Sequence, residues 1–307
     1  MRVVFLGTGE FARPALSRLA DRHRVDLVVT QPDRPAGRHA EPCPPPVKEL
    51  AWSLGLSLLQ PERANAPDAV DRIRSVDPDI LVVAAYGQLL KPEVLGSARR
   101  GAVNIHASLL PAYRGAAPIQ WAILRGERIT GVTTFQLDRG MDTGPLLLQR
   151  SLEIDPNETA GDLERRIATL GADLILETLD GLERGTIVPR PQPESGASLA
   201  PRLSRDDGRV DWTKTAAEIH NLVRGTSPWP GAWTLLRGER IKLLRTARTE
   251  VGVGSVETGA VGPRESRQLL VGCADELLEV LEIQREGRPP TSGREFLNGL
   301  RVGARLG

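Results

Sequence analysis

Cysteine is nearly absent. Cys43 and Cys273 are the only two in 307 residues, with no CxxC pair and no even framework of bridges. That excludes a disulfide scaffold and fits a reducing compartment, so a cytoplasmic location is expected. Long apolar runs are also missing. The run over residues 1–7 is too short for a signal h-region, Asp26 soon follows, and nothing approaches the roughly 20 residues a membrane span needs. Charge of one sign is lacking too: Lys plus Arg number 40 against 39 Asp plus Glu, a formal net charge of +1. No overall field advertises nucleic acid, so an anionic partner must be met by a local patch. Lysine is confined to Lys48, Lys91, Lys214 and Lys242. With abundant Ala, Gly and Pro this reads as genomic compositional bias. There are no internal repeats.

What is present, 40% hydrophobic and 26% charged residues, is the composition of a globular chain, and its length suggests two domains. Short Val/Ile/Leu-rich runs alternate with helical patterns through the first half. Strands are expected over residues 3–6, 25–30, 80–84, 102–105 and 131–137, and helices over 11–20, 47–54 and 116–124. This alternation predicts parallel strands joined by crossover helices. Residues 159–184 carry the longest helical pattern, with a weak break at Gly171. The following proline-rich stretch, Val188-Pro189-Arg190-Pro191-Gln192-Pro193, suits an exposed linker. Beyond it one helix over 215–223 precedes β-rich runs such as 233–236 and 240–244, separated by Gly turns. The expected fold is therefore α/β: a Rossmann-like, doubly wound, mostly parallel sheet over residues 1–188, a linker over 189–204, and a small barrel-like, OB-like β-domain over 205–307.

Gly7-Thr8-Gly9 follows the first strand, but Ala12 stands where a dinucleotide fingerprint needs its third glycine, and no ribose-binding acid follows the second strand. A plain βα turn is the better reading. Asn104 and His106 lie two apart at the carboxyl end of a strand and so point to one side, where open α/β sheets bind ligands. An amide beside an imidazole can grip an oxygen that becomes negative; equally, the pair could be a turn-capping Asn and a satisfied core His. Asp142, in Asp138-Arg139-Gly140-Met141-Asp142-Thr143-Gly144-Pro145, could pair with His106 and accept a proton, or simply serve the turn. Asp138 is a weaker candidate for the same work. His39 and Cys43 among prolines do not make a metal site, and no metal is expected.

Asn104, His106, the Ser108-Leu109-Leu110-Pro111 stretch running on to Arg114-Gly115, and Asp142-Thr143-Gly144 resemble the signature of the formyltransferases that use 10-formyltetrahydrofolate. The resemblance implies Asn104, His106 and Asp142 as catalytic residues and 10-formyltetrahydrofolate as formyl donor. It also implies a folate site along Ser108, Leu109, Leu110 and Pro111, with Tyr86, Gln88 and Leu89 beside the pterin.

Further segments are similar to the branch of that family whose acceptor is the methionine α-amine on initiator tRNA. These are the loop from Thr30 to Arg38, Trp52 to Gln60, Ile219-His220-Asn221-Leu222-Val223-Arg224, Pro228-Trp229-Pro230-Gly231 and Ser292-Gly293-Arg294-Glu295-Phe296-Leu297-Asn298-Gly299. They imply initiator methionyl-tRNA as partner, met by Arg34 and Arg38, and a monomer. After Arg38 the loop reads His39-Ala40-Glu41-Pro42-Cys43, without the further lysines common in the family. Arg237, Arg240, Lys242, Arg245 and Arg248 stand against the single acid Glu239. On a strand Arg240 and Lys242 share a face and could meet phosphates, although such runs are often only solvated faces. The alternatives are a sugar-nucleotide amine as acceptor, or a non-catalytic binding module in which Asn104, His106 and Asp142 are merely structural.

Overall fold

Residues 3–6 and 80–84 show no polar alternation, the pattern of strands covered on both faces, and in the computed structural model all of them are buried. The structure describes residues 1–36, 41–263, 266–301 and 303–307. In chain order the elements begin with β1 (Arg2–Gly7), α1 (Arg13–Arg22), β2 (Arg24–Val29), β3 (Arg34–Ala36), β4 (Glu41–Cys43), α2 (Pro46–Ser53), β5 (Leu58–Leu59), α3 (Pro67–Ser75), β6 (Ile80–Ala84), α4 (Pro92–Leu95) and β7 (Ala102–His106). They continue with α5 (Pro118–Leu124), β8 (Ile129–Gln136), β9 (Leu146–Glu153), α6 (Ala160–Arg184), α7 (Ala216–Gly225), β10 (Ala232–Leu236), β11 (Glu239–Gly252), β12 (Leu270–Gly272), β13 (Glu276–Arg285), β14 (Thr291–Ser292) and α8 (Gly293–Asn298). They fall into two units: Met1–Gly115, Thr130–Leu152 and Glu164–Ala200 in one, and Ala116–Ile129, Glu153–Leu163 and Pro201–Gly307 in the other.

The first unit is built on a seven-stranded sheet of order β5-β2-β1-β6-β7-β8-β9. The pairings from β5 through β7 are parallel, and β8 then runs antiparallel to β7. Helix α1 has proline in its first turn and buries Ala15, Leu16 and Leu19, as an amphipathic crossover helix should. The Gly7-Thr8-Gly9 segment is the turn between β1 and the helical stretch after it, and Thr8 Oγ1 donates to the Tyr86 carbonyl at 2.9 Å. Helix α6 is continuous through Gly171. A Cβ there would lie 2.7 Å from Ile105 Cγ2, so the glycine allows the helix to lie close against β7 instead of breaking it.

The second unit carries an antiparallel sheet of order β10-β11-β13-β12, with β14 also on β13. A small C-terminal β-domain was expected; residues 189–200 of the expected linker fall in the first unit, while the second also takes in Ala116–Ile129 and Glu153–Leu163. Its 14-residue strand β11 shifts register against β13 after Leu243, Arg245 and Arg248, irregularities that bend a strand. Trp212, Ile219, Val223, Ile241, Val280 and Phe296 belong to its core. Helix α7 opens with a capping box in which the Thr215 side chain and the Glu218 backbone and carboxylate satisfy one another. Bonding to Thr215 holds the Glu218 carboxyl below its ordinary pKa. In this unit His220 Nε2 contacts the Pro156 carbonyl at 3.1 Å and its Nδ1 contacts Thr246 Oγ1 at 2.9 Å. Since a carbonyl only accepts, Nε2 carries the hydrogen and Nδ1 accepts from the threonine, the tautomer of a neutral ring. No helix among the described residues is long and apolar enough to cross a membrane.

Candidate active site

The strand period of two puts Asn104 and His106 on one side of β7. Asn104 is half-buried, and among the described residues no hydrogen bond engages its carboxamide. His106 is 5% exposed and packs edge-on against Phe135, ring centroids 6.2 Å apart. Its Nε2 lies 2.9 Å from the Tyr113 carbonyl oxygen. That oxygen can only accept, so Nε2 carries a hydrogen and Nδ1 is the edge left for other work.

The acid reaches Nδ1 by a longer route than a plain strand-end turn. Strand β8 pairs Gln136 with Val103 and Thr133 with His106, so the loop after β8 leaves beside the start of β7 and must return along it. Asp142 nevertheless stands with Oδ2 3.6 Å from His106 Nδ1, and the same oxygen accepts the Gly115 backbone N–H at 2.8 Å. Asp142 has φ +56°, an uncommon conformation for a residue with a side chain. Gly144 is buried against β8: a Cβ there would lie 1.8 Å from the Gln136 carbonyl oxygen. Asp138 is occupied inside the loop, accepting from Gly140 N at 2.9 Å and Thr143 Oγ1 at 2.8 Å. The structure thus brings Asp142 to His106, two residues along β7 from Asn104, and leaves Asp138 as the loop's internal tie.

Of the residues expected along folate, Ser108 and Leu110 are buried and Leu109 and Pro111 half-buried. Ser108 Oγ donates to Ala112 O at 2.6 Å, and Thr133 Oγ1 bonds Ser108 O and Leu110 N, so this stretch is fixed through its backbone. Tyr86 is 2% exposed, and burial pushes its phenol up to about 12. Its side chain belongs to the core, while its carbonyl accepts from Thr8 and Gln31. Gln88 accepts from Ala64 N at 2.8 Å and donates to Glu62 O at 3.0 Å. Leu89 is 64% and Met141 58% exposed, apolar side chains left on the two loops where a pterin is expected.

Arg34 sits exposed on the β3–β4 hairpin, ion-paired with Glu62 at 2.8 Å. The hairpin's base is tied by Lys48, whose Nζ bonds Asp33 at 2.7 Å. Arg38 and His39 lie outside the described residues. Arg240 stacks over the Trp233 ring at 3.8 Å, and Lys242, exposed, pairs across strands with Trp233. Residues expected only as linker also enter the site. Gln192 Nε2 donates to the Asp142 and Gly144 carbonyls, and Ser198 Oγ accepts from Tyr113 N. Their only signal in sequence was polarity among prolines. Among the described residues no group of three His, Cys, Asp or Glu side chains could hold a metal.

This arrangement, an amide and an imidazole at a strand end with a carboxylate folded back onto the ring, has the chemistry that acyl transfer needs: a donor for a developing oxyanion and a proton acceptor. Residues 1–179 match the formyl transferase family and residues 202–301 the formyl transferase C-terminal domain; the chain belongs to this family. Its curated relatives include the methionyl-tRNA formyltransferase of Solibacter usitatus, 48% identical over 98% of this chain and 96% of its own. The protein of the same name from Pelobacter propionicus is 49% identical over 97% and 92%. Among solved structures, the sugar 3N-formyl transferase WlaRD, crystallised with dTDP and 5-N-formyl-THF, shares the fold at TM-score 0.71 and 18% identity, covering 94% of this chain and 99% of that one. HypX from Aquifex aeolicus, in complex with tetrahydrofolic acid, does so at TM-score 0.67 and 21% identity over 98% of this chain and 48% of its own.

Proposed function

We propose that this protein transfers the formyl group of 10-formyltetrahydrofolate to the free α-amine of methionine on initiator tRNA. The observation that carries the reaction is the unengaged Asn104 carboxamide beside the His106–Asp142 pair. The acceptor follows from the near full-length relatives at almost half identity. We take residues 1–188 as catalytic domain, 189–204 as linker and 205–307 as tRNA-binding domain, acting as a monomer in the cytoplasm.

Asn104 donates a hydrogen bond to the formyl oxygen as it gains negative charge, an interaction worth most when that charge is greatest. His106, with Nε2 committed to Tyr113, offers Nδ1 to the same centre and shares it with Asp142. Asp142, 3.6 Å away, accepts the proton that the amine loses as its nitrogen bonds to the formyl carbon; a separation of this size closes on substrate binding or through a shared water. The bond from that carbon to N10 then breaks, and N10 leaves with the proton passed on from Asp142, which regenerates the carboxylate. Leu89 and Met141 offer apolar cover for the pterin, with Ser108, Leu109, Leu110 and Pro111 as a backbone-fixed edge. Tyr86 and Gln88 hold the adjoining loop. On the RNA side, Arg34 and Arg38 meet the acceptor end, and Arg240 and Lys242 the phosphates.

The test is incubation with 10-formyltetrahydrofolate and charged initiator tRNA, with a sugar-nucleotide amine in parallel. Formylmethionine on the tRNA supports the reading. Donor turnover with the sugar amine alone overturns the acceptor.

A further inference from the structure

We infer that Gln192 is a positioning residue for the acid Asp142, setting the proton acceptor from the proline-rich segment. The inference rests on the function proposed above. The Gln192 carboxamide uses every polar site it has. Oε1 accepts from Arg114 Nε at 3.1 Å and Nη2 at 2.6 Å. Nε2 donates to the Asp142 carbonyl at 2.8 Å and the Gly144 carbonyl at 2.9 Å. The amide orientation is fixed by its partners, because the reverse would set NH2 against a guanidinium and oxygen against two carbonyls.

The consequence falls on Asp142. Its carboxylate is held by Gly115 N and its carbonyl by Gln192, one anchor on each side of a residue whose φ is +56°. A side chain in that conformation persists only where its surroundings over-determine it. Gln192 supplies two of the constraints, and Arg114, one residue before Gly115, links both anchors through the same carboxamide. Arg114 is in turn stitched to the linker, its N–H bonding Ser198 O and its carbonyl accepting from Ala200 N. Without the Gln192 donors the loop is free to carry Asp142 off His106 Nδ1, and a displacement near 1 Å suffices to cost about 10²-fold in a positioned reaction.

Gln192→Glu isolates this role, since it keeps the shape and the acceptor for Arg114 but replaces both donors with oxygen facing two carbonyls. Gln192→Met removes all four hydrogen bonds without adding charge and carries the test if the glutamate variant does not fold. The measurement is steady-state formyl transfer to charged initiator tRNA, for each variant alone and combined with Asp142→Asn. The expected result is a fall in kcat of about 10- to 100-fold with KM for both substrates little changed. In the Asp142→Asn background the Gln192 variant should have almost no further effect. Near-normal kcat in both Gln192 variants, or losses that simply multiply in the double variants, would overturn the role. Asp142→Asn at wild-type turnover would instead remove Asp142 from the chemistry and end both readings.

Discussion

His106 Nε2 donates to the carbonyl of Tyr113 at 2.9 Å, and Tyr113 itself has φ +61°. The His106 ring is therefore oriented by the backbone oxygen of a residue in an uncommon conformation. The bond fixes which ring nitrogen is spent and leaves Nδ1 as the edge that faces Asp142, 3.6 Å from its Oδ2.

If His106 and Asp142 act as a unit, removing either should cost nearly what removing both costs. His106→Ala and Asp142→Asn are each expected to lower kcat by about 10²-fold or more, with the double variant close to the worse single one. Turnover of the three proteins checks this; independent, multiplying losses would separate the two residues.

Gly144→Ala should disable the loop without touching a reacting group. Its Cβ would stand 1.8 Å from the Gln136 carbonyl oxygen, with nothing flexible to yield. Overpacking of this kind costs about 1–3 kcal/mol, and the displaced loop carries Asp142 with it. The expected outcome is a lowered Tm together with a kcat loss close to that of Asp142→Asn.

The second unit should lose stability on acidification. Burial, with Arg224 and Arg248 nearby, lowers the pKa of His220 despite its bond to the Pro156 carbonyl. The unfolded chain's histidine protonates near pH 6.5, the folded one only at lower pH. Unfolding therefore takes up a proton in that window, and stability present above about pH 6.5 is lost as pH falls through it. The melting temperature of wild type should drop below pH 6.5 more steeply than that of His220→Asn.

Arg240 and Lys242 should reveal themselves through salt. Removing one cation that meets a phosphate lowers the slope of log affinity against log salt by about one. Arg240→Ala and Lys242→Ala are expected to weaken initiator tRNA binding and flatten that slope, leaving kcat at saturating tRNA intact. An unchanged slope would make them an ordinary solvated face.

The parallel core was legible because β1 and β6 are uninterrupted apolar runs, and Asn104 and His106 because a strand period settles which residues share a side. Strand β9 was not, since only Leu146 and Leu147 at its start are buried and the rest, Leu148-Gln149-Arg150-Ser151-Leu152-Glu153, is mixed in polarity and at most half-buried. Helix α3 was hidden behind its short, charged sequence. Gly171 looked like a helix break because a close approach to Ile105 has no one-dimensional signature. Tyr113 and Gln192 act through or upon carbonyl oxygens, which every residue carries, so nothing in their identity announced them. The return of the Asp142 loop along β7 depends on β8 being antiparallel, and the alternating pattern pointed to parallel strands.

The proposed mechanism turns on Asn104 stabilising charge on the formyl oxygen, and the decisive experiment is Asn104→Ala in the formyl-transfer assay with 10-formyltetrahydrofolate and charged initiator tRNA. A loss of about 10²- to 10³-fold in kcat is expected, with little change in KM for the folate. An Asn104→Ala protein that formylates methionyl-tRNA at near wild-type turnover would contradict that role.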